Sequence, residues 1–527
     1  MRKSGLLKVG VALLAALVVT FPLVAACEAT APADHWTVKV TGGEVRGIVK
    51  DGVATFKGIP FAAPPVGELR WKAPQPVKPW DGVRDAYEFA PAPMQPAMLA
   101  KVSGGVELSE DCLYLNVWTG AKSPDERRPV MVSIYGGGFT SGATSIPFLD
   151  GTALAKKGVV MVSIAYRVGP FGFLAHPELS AESGKGSGCY GIQDQIAGLR
   201  WVKKNISHFG GNASRVTIFG GSSGGTSVSI LAASPPAKAL FQRAICQSGG
   251  SMAPINEGAD KPGCMIPSLE YAEEQGKKFL AELGVPDIRA ARALSAEAVQ
   301  KGKLDPCWPV ADGETIVRDP YELYEGGKFN DTPVLIGTNS DDGGFFAVPT
   351  STPALFEKFA RDNLGLAADE ILAAYPHATD AEAARSGRDL VREAIFAWPS
   401  WAWASLQSQK GKGKAFLYCF DYGSPKPGDV SHGAETAYVF GTFGAMMMPA
   451  ACPENVAMSD TIQSYWVNFA TNGNPNGPEL PEWPPFDSKT MNTMIFGKTP
   501  EVGPTPNIEK IKAFDTYYAR LREQRRK

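Results

Sequence analysis

The stretch Gly220-Gly221-Ser222-Ser223-Gly224 constrains this chain more than any other. It follows four residues that favour extended structure, Val216-Thr217-Ile218-Phe219, and precedes Thr226 to Ala233, which is compatible with a helix. A strand that turns sharply into a helix forces its central residue into a strained backbone conformation. The flanking Gly220 and Gly224 let strand and helix approach without a Cβ between them. Ser222 then stands clear of the sheet at the positive end of a helix, where a developing oxyanion is stabilised. A glycine-rich turn with no chemical role has the same composition, so the rest of the chain must decide.

Short β patterns with glycine turns occupy Trp36 to Val40, Glu44 to Val49 and Ala54 to Gly58. The proline-dense run from Gly58 to Gly67 excludes helix and reads as an extended surface segment. Further strands are expected up to Trp118, from Pro129 to Tyr135 and over the β-branched run Val159 to Tyr166. Gly191 to Phe209 reads as a helix with apolar Ile192, Ile196, Leu199, Trp201 and Val202. Beyond the elbow, Ala244 to Gln247, Thr332 to Thr338 and Ala415 to Phe420 continue the strand pattern. Residues 265–305 and 352–411 are helix-rich, and a last helix spans Asn507 to Arg526. Strands alternating with helices at this spacing indicate a large, mostly parallel sheet covered on both faces. No linker or internal repeat divides the chain, so residues 34–527 are expected to form one catalytic domain, with helical insertions around 250–310 and 350–412.

Composition narrows the function classes. Of 527 residues, 44% are hydrophobic and 20% charged, which is ordinary for a globular protein with a large core. The net charge of −2 and the lack of a basic stripe give no reason to expect a nucleic-acid partner. Residues 1–26 read as a signal peptide: Arg2, Lys3 and Lys8 flank an apolar run from Val9 to Ala26. Its removal takes three positive charges from −2 and leaves about −5. Val24-Ala25-Ala26-Cys27 resembles a lipobox, in which Cys27 becomes a lipidated N-terminus; cleavage near Ala31-Pro32-Ala33 is the competing reading. The expected location is therefore outside the cytoplasm, secreted or periplasmic, with a lipid anchor at Cys27 as the one route to a membrane. Seven cysteines follow Cys27, an odd number that leaves at least one thiol unpaired in a monomer. No Cys-x-x-Cys pair or Cys/His cluster has metal-ligand spacing, so no metal and no cofactor are expected.

A series of ordered segments gives the site its chemistry: GIPFAAPPVGELRW, SEDCLYLNVW, YGGGF, YRVGPFGFL, RVTIFGGSSGG, RAICQSGG, GTNSDDGGFF and SHGAETAYVF. Together they resemble the type-B carboxylesterase family, to which the cholinesterases also belong, across nearly the whole chain. The resemblance implies an α/β-hydrolase fold and a serine esterase mechanism. A serine hydroxyl needs a base, and the chain has five histidines: His35, His176, His208, His377 and His432. His432 lies in a loop after a late strand and matches the family's histidine loop. His176 matches a structural turn, His208 reads as a packing or capping group, and His377 lies in an alanine-rich helical region. In the family's Gly-x-Asn-x-Asp-Glu-Gly pattern the glutamate is the catalytic acid; here Gly337 to Gly343 places Asp342 at that position. A side chain shorter by one methylene requires the backbone to come closer to His432, or a water to bridge. Asp341 is the nearest competitor and reads as structural, as does the turn residue Asp312. Gly137 and Gly138 match the family's oxyanion loop, the amide of Ser223 completes the oxyanion hole, and Ser248 matches a serine that supports acid and base.

Three departures limit the likeness. Gly221 stands where most relatives carry glutamate, which opens space beside Ser222. No cysteine between Cys27 and Cys112 can close the usual surface loop, so the loop from Pro91 to Glu110 is expected to be freer, and it contains no tryptophan. Both features argue against choline esters. Cys189 replaces a residue that is usually asparagine, and Cys264 with Cys307 resembles a possible disulfide staple. Phe345, Phe346, Phe396, Trp398, Trp401, Trp403 and Met446 to Met448 are read chiefly as core; any that line the cleft favour a bulky or aromatic ester. The competing function is a catalytically inactive binding module on the same fold. Amide, lactone or polyester preference stays open, as does oligomeric state.

Overall fold

The computed structural model describes residues 34–97, 104–258, 261–346, 348–444 and 448–526. The signal segment with Cys27, the tip of the Pro91 to Glu110 loop, and Met446 with Met447 lie outside the described residues.

The strands are β1 (Asp34–Val40), β2 (Gly43–Lys50), β3 (Val53–Pro60), β4 (Val83–Asp85), β5 (Ala92–Pro93), β6 (Leu108–Ser109), β7 (Tyr114–Thr119), β8 (Arg128–Ile134), β9 (Val160–Ile164), β10 (Gly211–Gly221), β11 (Arg243–Gln247), β12 (Val334–Asn339), β13 (Ala415–Phe420), β14 (Asn492–Phe496) and β15 (Pro500–Pro504). β5 and β6 form a small ladder of their own. The others make one sheet in the order β1-β2-β3-β7-β9-β8-β10-β11-β12-β13-β14-β15, with β4 beside β2. From β9 to β14 every neighbouring pair is parallel, and antiparallel strands flank this block on both sides. The central strands β9, β12 and β13 carry mostly apolar residues and are buried end to end, as a sheet covered on both faces requires.

This topology positions the site. In parallel strands all carboxyl ends lie on one edge, where the connecting loops of an α/β sheet gather ligands and chemistry. The register sets Gly221 opposite Gln247, Gln247 opposite Gly337, and Gly337 opposite Tyr418, forming one row across β10 to β13. The loops that carry the candidate residues leave the sheet from this row.

Between β11 and β12 lie helices Leu269–Glu282, Ile288–Arg292, Ala296–Lys301 and Pro320–Glu325. Between β12 and β13 lie Pro353–Leu364, Ala368–Leu372, Asp380–Arg392 and Trp398–Lys410, the last two joined by a π-helical turn, Glu393–Ala397. No helix among the described residues is long and apolar enough to cross a membrane.

Two expectations about local structure are corrected. The segment after β3 is extended, yet Phe61, Ala62 and Ala63 are buried, the first two in the main core, so its start is not a surface strip. Its apolar side chains outweigh the surface preference of its prolines. Cys264 and Cys307 form no disulfide; both are buried free thiols, and burial pushes each up to about 12.

Candidate active site

Ser222 caps the N-terminus of helix Ser223–Ala233 with φ 57° and ψ −129°, a conformation that costs a non-glycine residue about 1–3 kcal/mol. Its N–H donates to the Gln247 carbonyl at 2.8 Å, and its carbonyl accepts from the Thr226 N–H at 2.9 Å, which holds the strain in place. The glycines allow the turn. A Cβ on Gly224 would lie 2.1 Å from the Ile134 carbonyl oxygen, and one on Gly220 would lie 2.5 Å from the same atom. At Gly221 the nearest atom to an added Cβ is 3.9 Å away, so that side of the elbow is open.

Beyond β8, Gly137 and Gly138 adopt φ 125° and 63°, and their amide N–H groups donate to no group among the described residues. A Cβ on the preceding Gly136 would come within 3.0 Å of Ser222 Cβ, so the glycine loop lies directly against the elbow. Backbone donors without internal partners, beside a hydroxyl at a helix N-terminus, suit a developing negative charge.

Asp342 opens a 3₁₀ turn, Asp342–Phe345, after β12 and is fully buried. Its Oδ1 meets His432 Nδ1 at 2.8 Å; its Oδ2 accepts from Ser248 Oγ at 2.9 Å and from the Asn339 N–H at 2.8 Å. The aspartate therefore reaches the histidine directly, without a bridging group. The backbone has come close enough: Asp341 N–H donates to the Val430 carbonyl at 2.9 Å, joining the aspartate loop to the histidine loop.

Burial pulls the His432 imidazole down, but the hydrogen bond and charge of Asp342, with Glu435 behind, raise it above its ordinary value. Its Nε2 is buried and has no hydrogen-bond partner, so no bond yet joins it to Ser222 Oγ. Such bonds are often long before substrate binds. Phe396, Phe345 and Phe346 surround the imidazole with ring centroids at 4.8, 5.7 and 5.9 Å.

The other candidates take structural places. Asp341 faces Arg388 at 3.5 Å, and Asp312 Oδ1 accepts from the amides of Glu314, Thr315 and Ile316. His176 Nδ1 accepts from the Glu178 amide at a helix start, and His35 stacks on Tyr87. His377 lies in the connection between helices Ala368–Leu372 and Asp380–Arg392, with Nδ1 2.6 Å from the Tyr375 carbonyl. His208 is exposed in the last turn of a 3₁₀ helix, which rules out the packing alternative and leaves its expected place at a helix end. Trp398 and Trp403 are fully buried in the core, whereas Phe345, Phe346 and Phe396 have their rings beside His432. The Cys189 thiol donates to the Val310 carbonyl at 2.9 Å. No group of three or more His, Cys, Asp or Glu among the described residues could hold a metal ion.

Glu435 was not singled out by sequence reasoning. It is buried one helical turn after His432 and receives Asn339 Nδ2 at 2.6 Å; burial and the charge of Asp342 push it up to about 7. The spacing His-x-x-Glu was the available signal.

The sheet order and the loops at its carboxyl edge define an α/β-hydrolase fold. The carboxylesterase family model matches residues 34–514. The chain belongs to the carboxylesterase family and is a carboxylic ester hydrolase. It is 35% identical over 497 residues to para-nitrobenzyl esterase of Bacillus subtilis, covering 90% of this chain and 98% of that protein. It is 34% identical over 490 residues to fumonisin B1 esterase of Sphingopyxis macrogoltabida, covering 89% of this chain and 88% of that protein. A solved PNB esterase structure superposes with TM-score 0.80 at 34% identity, covering 91% of this chain and 99% of that one.

Proposed function

We propose that Ser222 is the nucleophile of a serine carboxylesterase, with His432 as general base and acid and Asp342 orienting it. The observation that carries this reading is the unbroken chain from His432 through Asp342 to Ser248, one strand from the elbow. Ser222 Oγ attacks the ester carbonyl as His432 Nε2 takes its proton. The amides of Gly137, Gly138 and Ser223 hold the resulting oxyanion, and collapse expels the alcohol with the proton from His432. Water, deprotonated by His432, then attacks the acyl-enzyme and releases the acid and Ser222.

The phenylalanines around His432 and the open side at Gly221 support a bulky or aromatic ester rather than a choline ester. Residues 34–527 act in this reading as one catalytic domain, exported by the N-terminal segment and either released or anchored through Cys27; labelling cells with radioactive palmitate tests the anchor. Turnover of p-nitrophenyl esters from acetate to long chains, on protein lacking residues 1–26, tests the chemistry. Wild type is expected to hydrolyse them and Ser222→Ala and His432→Ala to lose about 10⁴-fold or more. A folded wild type inactive on every ester points instead to a binding module.

A further inference from the structure

Asn339 stands where the loop carrying the acid meets the loop carrying the histidine. Its backbone N–H donates to Asp342 Oδ2 at 2.8 Å. Its side-chain Nδ2 donates to the Ser431 carbonyl at 2.9 Å and to Glu435 Oε2 at 2.6 Å. Its own carbonyl accepts from Arg392 Nε at 3.0 Å. One residue thus holds the acid, the peptide directly before the base and a carboxyl one turn after it. Asn339, Asp342, Glu435 and Arg392 are all buried, so water cannot replace these bonds cheaply.

Arg392 is braced in turn. Its Nη1 donates to Glu393 Oε1 at 2.6 Å, and that oxygen also receives Asn507 Nδ2 at 3.0 Å, from just before the C-terminal helix Ile508–Arg526. Glu393 begins the π-helical turn that puts Phe396 on the imidazole. The carbonyl of Asn339 is therefore held from the far side by a buried arginine with no freedom of its own.

We propose that Asn339 is a positioning residue for ester hydrolysis: it clamps the aspartate loop onto the histidine loop so that the short carboxylate of Asp342 reaches His432 directly, with Arg392 as its backstop. The inference rests on the reading of Ser222, His432 and Asp342 as catalytic. Opening the two loops by about 1 Å would stretch the 2.8 Å contact beyond hydrogen-bond range. Misplacement on that scale costs about 100-fold in rate. The ionisable groups acting on this pair are Glu435 on His432, Arg392 beside Asp342, and Cys419 and Tyr418 on the strand below.

The test compares Asn339→Ala with Glu435→Gln, whose side-chain oxygen still accepts from Asn339 Nδ2. Active sites are counted by the burst with diethyl p-nitrophenyl phosphate, and turnover of p-nitrophenyl butyrate is expressed per titrated site. Asn339→Ala is expected to lower kcat per site by about 10- to 100-fold at little change in KM. It should also move the acid limb of kcat/KM downward, towards an ordinary imidazole. Glu435→Gln should fall well short of that loss. Asn339→Ser, which retains a short donor unable to reach both acceptors, is read in the same way if the alanine variant does not fold. Wild-type kcat per site with an unmoved acid limb, or a loss confined to the number of titratable sites, overturns the inference. Undiminished turnover by Ser222→Ala would instead overturn the catalytic reading beneath it.

Discussion

His432 Nδ1 lies 2.8 Å from Asp342 Oδ1, a direct contact between two side chains ninety residues apart in sequence. The other carboxylate oxygen is committed to Ser248 Oγ and the Asn339 N–H, so the group has no spare rotation. Asp342→Asn removes the charge and presents the wrong tautomer with a poor partner. Its kcat should fall about 10³- to 10⁴-fold with the fold intact by circular dichroism. Asp342→Glu should be slower than wild type, because the extra methylene would push against loops that the Asp341 N–H and the Val430 carbonyl already join. A glutamate variant as fast as wild type would contradict this geometry.

The pH dependence follows from the same pair. In its proposed role as base His432 must be neutral, and Asp342 with Glu435 hold its proton more tightly than an isolated imidazole would. Activity should therefore be lost as pH falls through a value above about 6.5, and Asp342→Asn should move that limb downward. A pH profile of kcat/KM on a neutral ester checks both.

How much of this was readable beforehand depended on range. The elbow and the strands around it are local patterns that single out Ser222, while Asp342 and His432 were candidates through the segments resembling the carboxylesterase family, and the fold brings these two together. Glu435 was missed because its importance comes from burial against Asn339, almost a hundred residues earlier, which no local pattern encodes. The exposure of His208 and the burial of Phe61 to Ala63 likewise depend on which neighbours the fold supplies. The aromatic residues show the limit best. Phe396 and Trp398 are two apart, yet the π-helical turn ending at Ala397 aims one at the imidazole while the other enters the core.

The two glycines flanking the nucleophile on either side should behave oppositely. At Gly224 an added methyl would overlap the carbonyls of Ile134 and Tyr135, at 2.1 and 2.9 Å. Both are backbone atoms of the strand exit, so Gly224→Ala should lose about 3 kcal/mol or more or fail to fold. Gly221 has no contact closer than 3.9 Å, so Gly221→Glu should fold normally and fill the open space. Its kcat/KM for bulky acyl esters should fall about tenfold relative to acetate. Denaturant melts and a paired substrate panel measure the contrast.

All seven described cysteines are free, and six of them are buried. No described bridge constrains the unfolded chain, so excess dithiothreitol should leave the melting temperature within about 1 °C. A fall of several degrees would reveal a bridge, with Cys264 and Cys307 the first pair to map.

Phe345 is 63% exposed although it ends the turn that Asp342 opens, and its ring lies 5.7 Å from His432 and 5.2 Å from Phe346. A large apolar side chain left open beside the base contributes little to folding, because little of its surface has left water. Its value lies in what it can still bury. In the proposed mechanism His432 delivers the proton to the departing alcohol, so a ring beside it would meet the alcohol portion of the ester more readily than the acyl portion. Phe345→Ala should then change stability by less than about 0.5 kcal/mol. It should reduce kcat/KM for benzyl or phenyl esters about 2- to 10-fold while sparing ethyl esters of the same acid. Equal losses on both would mean that the ring shapes the imidazole's surroundings rather than the leaving group's, and an equal loss in stability would mean that it packs more tightly in solution than its exposure implies.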